Sequence, residues 1–303
     1  MSDPVIACQF VNANGLRFEV DQCGTGDKFA LLLHGFPESK YSWRHQMPLL
    51  AKLGYRVWAP NLRGYGRSSR PPKVADYHID HLLADVAGLI DAAGAKETLL
   101  VAHDWGAIIA WIFAIRKVRP LSRLVIMNVP HPACMHRSLQ TWAQLKKSWY
   151  MFFFQIPWLP ERALTARGAE SIGRAFTEMA VDKSRFPASV VSEYRSNAML
   201  PGAMRAMINY YRAAMRAGSK AMNPIPGLVE VPTLMIWGEN DTALGKETTY
   251  GTDAYVKDLT LRYLPGVSHW VQQEAPERVN AMLEAWLCGQ PVPFEGEVIQ
   301  TTS

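Results

Sequence analysis

One aspartate stands where a run of apolar residues meets a segment with helical periodicity. It is Asp104, within the stretch 102–107, and its near neighbours Ala102, Gly106 and Ala107 are all small. A sharp turn from a strand into a helix requires small residues at those positions, because larger side chains would collide with the adjacent strand and helix. An aspartate at a helix start is also a common N-cap. The small neighbours favour the sharp turn, which would hold Asp104 above the edge of a sheet as a nucleophile.

A carboxylate at such a turn suits attack on a saturated carbon. A side-chain pKa of about 4 keeps an aspartate ionised at neutral pH, so it needs no base to activate it. Its attack forms an alkyl ester between enzyme and substrate. Serine hydrolases of this architecture place a serine at the corresponding turn. Release of the product from Asp104 would then require water and a general base.

Two later residues follow predicted strands and could activate that water. His269 lies in a glycine-containing loop after the strand 259–264, and a neutral imidazole can accept a proton. Asp241 follows the strand 233–237 and would orient the imidazole and stabilise its charged form. Taken singly, these residues fit an ordinary turn and an ordinary loop. Their order along the chain, with nucleophile first and histidine last, is that of α/β hydrolases, which favours catalysis.

A glycine-containing turn at 34–38 follows the first buried strand. Such a turn can aim the backbone N–H groups of Phe36 and Trp105 at one point beside Asp104. Two converging donors would form an oxyanion hole for hydrolysis of the ester. The sequence leaves open whether the peptide before Pro37 is cis.

The elements that must position these residues alternate between strands and helices. Two alternating stretches joined by a turn at 12–15 predict an antiparallel hairpin. Short apolar runs without alternation predict strands buried on both faces, as in a parallel sheet. The hairpin strands are 6–11 and 16–21, and the buried runs are 29–33, 56–59, 98–102, 124–127 and 233–237. Helices are predicted at 42–53, 79–93, 105–118 and 276–287. The alternation indicates a doubly wound α/β sheet.

The alternation stops at about residue 131 and resumes near residue 231. Between them lie helical, aromatic-rich and Met-rich segments broken by prolines. We therefore predict a core in two pieces, 1–131 and 224–303, with a helical lid at 132–223. The lid holds 13 Lys and Arg against 5 Asp and Glu. This excess could attract anionic substrates or a membrane face, although its dispersion favours a solvated surface.

The composition narrows the class of protein. The chain is 49% hydrophobic with a formal net charge of +5, which allows a sizeable core. No window reaches the roughly 18 consecutive apolar residues of a membrane-spanning helix, and the first ten residues lack a secretion signal. No nucleic-acid-binding motif is found. The cysteines show no metal-ligand or disulfide spacing, which predicts reduced thiols and a cytoplasmic location. They are Cys8, Cys23, Cys134 and Cys288.

Four blocks of this sequence together resemble the α/β-hydrolase-fold epoxide hydrolase family, from about Leu16 to Leu287. They are HGFPE at 34–38, AHDWGA at 102–107, WGEND at 237–241 and GVSHW at 266–270. The resemblance implies a mostly parallel eight-stranded sheet flanked by helices, with an inserted helical lid. It further implies conversion of a small-molecule epoxide and water to a vicinal diol, as in detoxification. No metal or organic cofactor, nucleic-acid partner or stable membrane insertion is expected, and monomer or homodimer stays open.

The same resemblance implies that two lid tyrosines activate the epoxide oxygen. Tyr150 resembles the first and Tyr211 the second, while the adjacent Tyr210 remains a rival for the second role. An alkoxide is a poor leaving group, so an acid must accompany the attack. Aromatic residues at these spacings often only pack a lid core, which is expected for Tyr194 and Tyr210. Trp105, Phe36, Pro37 and Trp158 are expected to line the hydrophobic substrate pocket.

Three alternatives remain. Haloalkane dehalogenases share the aspartate nucleophile, but commonly have Asn where this chain has Phe36. Haloacetate dehalogenases typically have Arg in place of Trp105, although the basic lid keeps them as the runner-up. A catalytically silent binding protein with this fold would lack a catalytic residue, and none is missing.

Overall fold

Eight strands form one sheet that is flanked by helices. The computed structural model describes residues 4–140, 142–147, 149–217 and 227–294. In chain order the strands are β1 (Ala7–Ala13), β2 (Leu16–Cys23), β3 (Lys28–Leu33), β4 (Tyr55–Pro60), β5 (Thr98–His103), β6 (Leu121–Met127), β7 (Thr233–Gly238) and β8 (Leu259–Leu264). Their order across the sheet is β1-β2-β4-β3-β5-β6-β7-β8. The β1–β2 and β2–β4 pairs are antiparallel, and the other pairs are parallel. The predicted mostly parallel, eight-stranded sheet is confirmed.

The hairpin turn is shorter than the sequence predicted. Asn12 pairs with Arg17, so the predicted turn residues 12 and 13 belong to β1. Only Asn14 and Gly15 form the turn, with φ values of +47° and +69°. Positive φ at both positions is what a two-residue hairpin turn requires, and Asn-Gly adopts it readily.

The helices cover both faces of the sheet. In chain order they are α1 (Gln46–Lys52), α2 (Ile79–Ala92), α3 (Trp105–Ile115), α4 (Pro132–Ser138), α5 (Trp142–Lys147), α6 (Trp149–Phe153), α7 (Leu159–Met179), α8 (Ala188–Met199), α9 (Ala203–Arg216), α10 (Val271–Glu274) and α11 (Pro276–Leu287). Side chains of α2 and α3 join one buried core cluster, and those of α1 and α11 join the other. The central strands contribute buried leucines to both clusters, as parallel strands covered on two faces should.

Two predicted helix boundaries differ from the observed ones for local reasons. The segment predicted as one helix from residue 42 to 53 is a 3-10 turn, Lys40–Trp43, followed by α1. Pro48 lies in the first turn of α1, where its ring would block an earlier helical turn. Helix α3 ends at Ile115 rather than at residue 118, because Lys117 has a φ of +51°.

The described residues between β6 and β7 contain six α-helices, α4 to α9, and the 3-10 turn Lys183–Arg185. We call residues 132–217 the helical insertion. Its α7 is interrupted at 166–169, where φ is positive at Arg167, Gly168 and Ala169. The boundary predicted at residue 223, like the chain ends 1–3 and 295–303, lies outside the described residues, so the division into core and lid stays a prediction. None of the described helices is long and apolar enough to cross a bilayer.

Candidate active site

Asp104 occupies a strained turn between β5 and α3. Its φ of +48° and ψ of −123° are unfavourable for a residue with a side chain, and such strain tends to occur at functional sites. The close packing explains the small neighbours. A Cβ atom on Gly106 would lie 2.3 Å from the carbonyl oxygen of Leu33, and one on Gly35 would lie 2.2 Å from the Cβ of Asp104. The predicted role of small residues at this turn therefore has a steric basis.

The structure brings Asp104, Asp241 and His269 together at the carboxyl ends of β5, β7 and β8. The Nδ1 atom of His269 lies 2.6 Å from Oδ2 of Asp241. Its Nε2 atom lies 3.5 Å from Oδ2 of Asp104. The imidazole thus bridges the two carboxylates, with one ring nitrogen directed at each. This geometry is compatible with the predicted roles, in which Asp241 would orient the imidazole and Asp104 would react.

Asn128, which the sequence analysis missed, helps to fix Asp241. The Nδ2 of Asn128 donates to Oδ2 of Asp241 at 2.7 Å, and its Oδ1 accepts from the Gly238 amide at 2.9 Å. The amides of Ala243 and Leu244 donate to Oδ1 of Asp241 at 2.7 and 2.9 Å. An available signal was that Asn128 follows the buried run 124–127, as Asp104 and Asp241 follow theirs.

The charges of Asp104, Asp241 and His269 depend on one another. Burial alone would lower the pKa of His269, but the charges and hydrogen bonds of Asp241 and Asp104 raise that pKa to about 10. Burial alone would raise the pKa of each carboxyl group, but interaction with His269 lowers both. In the resting site His269 is therefore a cation between two carboxylates at neutral pH. The neutral imidazole expected from the sequence requires that one of those negative charges be lost first.

The glycine turn after β3 places a backbone donor against Asp104. The Phe36 amide donates to Oδ1 of Asp104 at 2.7 Å. The Phe36–Pro37 peptide, which the sequence left open, is cis. Trp105 is the first residue of α3, and the following Gly106 amide donates to the His34 carbonyl at 3.1 Å. The two predicted oxyanion donors thus lie on segments that are tied to each other beside Asp104.

A buried carboxylate, Glu38, links this turn to the histidine loop. Its Oε2 lies 2.7 Å from Nδ1 of His103 and accepts from the Gly35 amide at 3.0 Å. Its Oε1 accepts from the side-chain amides of Gln272 and Gln273 at 2.7 and 2.8 Å. Nε2 of His103 in turn lies 2.8 Å from the carbonyl oxygen of His269. Burial alone would raise the pKa of Glu38, but His103 and the Gly35 amide lower it.

A cavity of about 200 Å³ opens in front of Asp104. Its wall includes Asp104, Trp105, Tyr150 and Tyr211, and most of the remaining lining is apolar. Among the described residues that line it there is no Lys or Arg. The basic residues of the helical insertion therefore do not form the floor or walls of this cavity.

The two predicted acids meet across the top of the cavity. Tyr150 comes from α6 and Tyr211 from α9, and their rings pack edge to face with centroids 5.8 Å apart. Tyr211 also packs against Trp105 and Phe36, with centroid distances of 5.0 and 5.4 Å. Burial is the main reason why the pKa of each phenol is raised, with the charge of Asp104 adding to it. Both hydroxyl groups therefore stay protonated and can donate.

Tyr210, the rival to Tyr211, and Trp158, an expected pocket residue, do not take the positions that those roles require. The hydroxyl of Tyr210 donates to the carbonyl of Arg63 at 2.8 Å, which commits it to a structural bond. Trp158 is 66% exposed and is not among the cavity residues, because the chain turns outward at a φ of +54° there. Phe36 packs against Tyr211, and Pro37 is buried, but neither residue lines the cavity. Of the four residues expected in the pocket, Trp105 lines this cavity, whereas Phe36, Pro37 and Trp158 do not.

Comparisons with known proteins show the fold and the family of this chain. A family model described as alpha/beta hydrolase fold matches residues 31–276. Human epoxide hydrolase 4 is 36% identical over 297 residues, covering 95% of this chain and 81% of that protein. The AB hydrolase superfamily protein YfhM of Bacillus subtilis is 36% identical over 287 residues, covering 94% of this chain and 99% of that protein.

Among solved structures, an epoxide hydrolase of Bacillus megaterium in complex with an inhibitor is similar with a TM-score of 0.86 at 30% identity. The match covers 92% of this chain and 100% of that chain. The fold and the family model together define an enzyme of the α/β hydrolase class. Within that class, the chain belongs to the epoxide hydrolase family, whose members are hydrolases acting on ether bonds.

Proposed function

We propose that this protein hydrolyses epoxides to vicinal diols through an ester on Asp104. One observation carries the proposal: the cavity that exposes a strained, ionised carboxylate also presents two neutral phenols. The carboxylate can attack a ring carbon while the phenols hold the ring oxygen. The relatives named as epoxide hydrolases support the same reaction.

In the first step, Asp104 attacks one epoxide carbon, and the bond from that carbon to oxygen breaks. Tyr150 and Tyr211 donate hydrogen bonds to the departing oxygen, which takes a proton as it becomes a hydroxyl. The ester removes the negative charge of Asp104 from the neighbourhood of His269. The pKa of His269 then falls, since one of the two charges that raised it is gone. One of the two phenols transfers its proton to the ring oxygen, and the proton that His269 releases restores that phenol, so that protons and charge balance.

In the second step, neutral His269 takes a proton from water, and the resulting hydroxide attacks the ester carbonyl. The amides of Phe36 and Trp105 stabilise the developing oxyanion. The intermediate collapses to the diol and the Asp104 carboxylate, while His269 returns to its cationic state beside Asp241. The cycle needs neither a metal nor an organic cofactor.

The same proposal gives the helical insertion a role as a lid. It supplies both phenols, whereas the core supplies the carboxylates and the histidine. We therefore divide the chain into a core at 1–131 and 224–303 and a lid at 132–223. The four cysteines are unpaired, which supports a reducing, cytoplasmic environment.

The cavity lining argues against the runner-up, a haloacetate dehalogenase. Such an enzyme must grip a substrate carboxylate, and a cation is the usual means. The described lining has no Lys or Arg, and Trp105 occupies the position at which that family typically has Arg. An uncharged, apolar epoxide suits these walls better.

A comparison of substrates tests the proposed function. The purified protein is incubated separately with an aromatic epoxide, a haloalkane and a haloacetate, and diol and free halide are measured. We expect diol from the epoxide, and no diol from the Asp104→Asn variant. Release of halide without formation of diol would replace the proposal with a dehalogenase.

A further inference from the structure

The outer side of the helical insertion exposes an unusual concentration of large apolar side chains. Within 142–159, three tryptophans lie on the surface together with Phe, Ile and Leu, and Trp142 is 78% exposed. Soluble proteins usually expose such residues singly, so six of them within eighteen positions of the chain indicate a candidate interaction site. We call this group the aromatic face. Its members are Trp142, Trp149, Phe152, Ile156, Trp158 and Leu159.

The aromatic face lies on the outside of the cavity wall. In the single helix α6, Tyr150 and Met151 line the cavity, whereas Trp149 and Phe152 are exposed. Phe154, which follows α6, is buried and packs against Tyr211, with centroids 4.9 Å apart. The cavity explains why the inward side chains of this segment are apolar, but it does not explain why the outward ones are.

A buried arginine holds this exposed segment in place. Arg212 of α9 donates through Nε to the Phe154 carbonyl at 2.9 Å and through Nη2 to the Ile156 carbonyl at 2.8 Å. It also forms an ion pair with Glu161 at 2.5 Å. Two backbone bonds and a carboxylate partner fix the chain on both sides of Trp158. The outward orientation of that region is therefore built into the fold.

Three basic residues accompany the aromatic face along the chain. Lys146 and Lys147 form the end of α5, and Arg162 follows Leu159 on α7. The nearby carboxylate of Glu161 is neutralised by Arg212. Tryptophan with lysine or arginine is the combination that binds the boundary between lipid headgroups and acyl chains. Interfaces between proteins, by contrast, are depleted in lysine.

We propose that the aromatic face docks this protein peripherally on anionic lipid surfaces. The tryptophans and aliphatic side chains insert at the headgroup level, and the lysines meet the anionic headgroups. Docking would set the outer wall of the cavity against the lipid. If the proposed function holds, the substrates are apolar epoxides that partition into membranes. The docking itself does not depend on that function.

Sedimentation with vesicles tests the docking. The full-length protein is mixed with vesicles of phosphatidylcholine alone or of phosphatidylcholine with phosphatidylglycerol, and the bound fraction is measured at low and high salt. We expect binding to the anionic vesicles, weakened by salt, and a blue shift of tryptophan fluorescence on binding. The neutral vesicles should bind at least about tenfold more weakly, because each basic residue near an anionic surface contributes about 1 kcal/mol.

Two pairs of substitutions with matched controls locate the surface. Phe152→Ser with Ile156→Ser keeps every tryptophan as a reporter, and its control is Leu228→Ser with Tyr250→Ser, exposed apolar residues elsewhere. Lys146→Glu with Lys147→Glu has as its control Lys96→Glu with Lys257→Glu, exposed lysines of the core. Both test pairs should weaken vesicle binding at least about tenfold, and the controls less than about threefold.

Each other result overturns the proposal in a recognisable way. Equal binding by test and control variants would place the contact elsewhere, and absence of binding to anionic vesicles would exclude docking. Self-association in gel filtration that the Phe152→Ser and Ile156→Ser pair abolishes, without vesicle binding, would show that a second copy covers the face. Diol formation from a water-soluble epoxide is measured on the same samples without vesicles. Its absence in a protein that binds vesicles would refute the proposed function and leave the docking intact.

Discussion

The two sides of the cavity are held in place by different physical means. On the core side, Asp241 and His269 lie at the ends of parallel strands and are joined by a 2.6 Å contact. On the insertion side, Tyr150 and Tyr211 come from separate helices and are positioned by aromatic packing, with centroids 5.8 Å apart. Hydrogen bonds are directional, whereas ring packing tolerates several arrangements. The ring of His269 is thus directed more tightly than the rings of Tyr150 and Tyr211.

Under the proposed mechanism, this difference assigns the two chemical steps to different parts of the molecule. Opening of the epoxide would need groups from both sides, because Asp104 would attack while the phenols hold the oxygen. Hydrolysis of the ester would need only the core, where His269, Asp241 and the Phe36 amide all lie. Substitutions on the two sides should therefore slow different steps.

The largest expected effect separates the steps at the histidine. His269→Gln should lower steady-state diol formation by about 10³-fold or more, because general base catalysis contributes up to about 10⁴-fold. Ester formation should persist, so intact mass should increase by one substrate. Adding Asp104→Asn to the variant should abolish this increase. Normal turnover by His269→Gln would remove the residue from the mechanism.

The insertion side should show its effect in the first step. Tyr150→Phe and Tyr211→Phe should each slow ester formation by about 10- to 100-fold, because one of two donors to the departing oxygen is lost. Single-turnover measurements in the His269→Gln background isolate that step. Tyr210→Phe is the matched control, since its hydroxyl already donates to the Arg63 carbonyl. An equal loss in Tyr210→Phe would show that the phenols act through packing.

The sequence predicted the core side better than the insertion side, because the core residues follow strands. Short apolar runs and the turn residues that follow them predict where strands end, so Asp104, Asp241 and His269 could be placed at one edge of the sheet. Trp158 shows what such patterns miss. Its hydrophobicity predicted a pocket residue, but a left-handed backbone conformation directs it outward.

The partners of long-range hydrogen bonds also could not be predicted from the sequence. Asn128 and Asp241 are separated by 113 positions, and nothing local to Asn128 indicates its partner. The same holds for Glu38, whose glutamine partners lie more than 230 positions away. Such pairs become visible only after the sheet order is known, because the order decides which strand ends are neighbours.

The shared charge of the core side predicts a pH effect. In Asp104→Asn, the pKa of His269 should fall by about 1–3 units from its resting value of about 10, since one carboxylate is lost. Histidine NMR titration measures this change. The raised pKa stabilises the fold fully below about pH 6.5, and this contribution is lost as pH rises toward 10. The variant should therefore lose less unfolding free energy than the wild type between those values, and an equal loss would contradict the coupling.

The smallest expected effect concerns the joint between the two sides, by which we mean the contacts that Glu274 makes with both the helical insertion and the core. Glu274 is buried, and its Oε1 accepts from the amides of Val181 and Asp182 in the insertion, both at 2.8 Å. Its Oε2 accepts from the amide of Ser268, beside His269, at 2.9 Å. Glu274→Ala would leave these donors unpaired and should lower the free energy of unfolding by about 1–3 kcal/mol.

Glu277→Ala is the matched control for this joint. Glu277 also bridges the two sides, through Arg185 at 2.9 Å, but the pair is exposed, so its loss should change stability by less than about 1 kcal/mol. Chemical denaturation measures both variants. If the joint aligns the insertion over the core, Glu274→Ala should also slow ester formation more than Glu277→Ala does. Equal effects in the two variants would mean that burial of the carboxylate adds nothing, and that packing alone holds the phenols over Asp104.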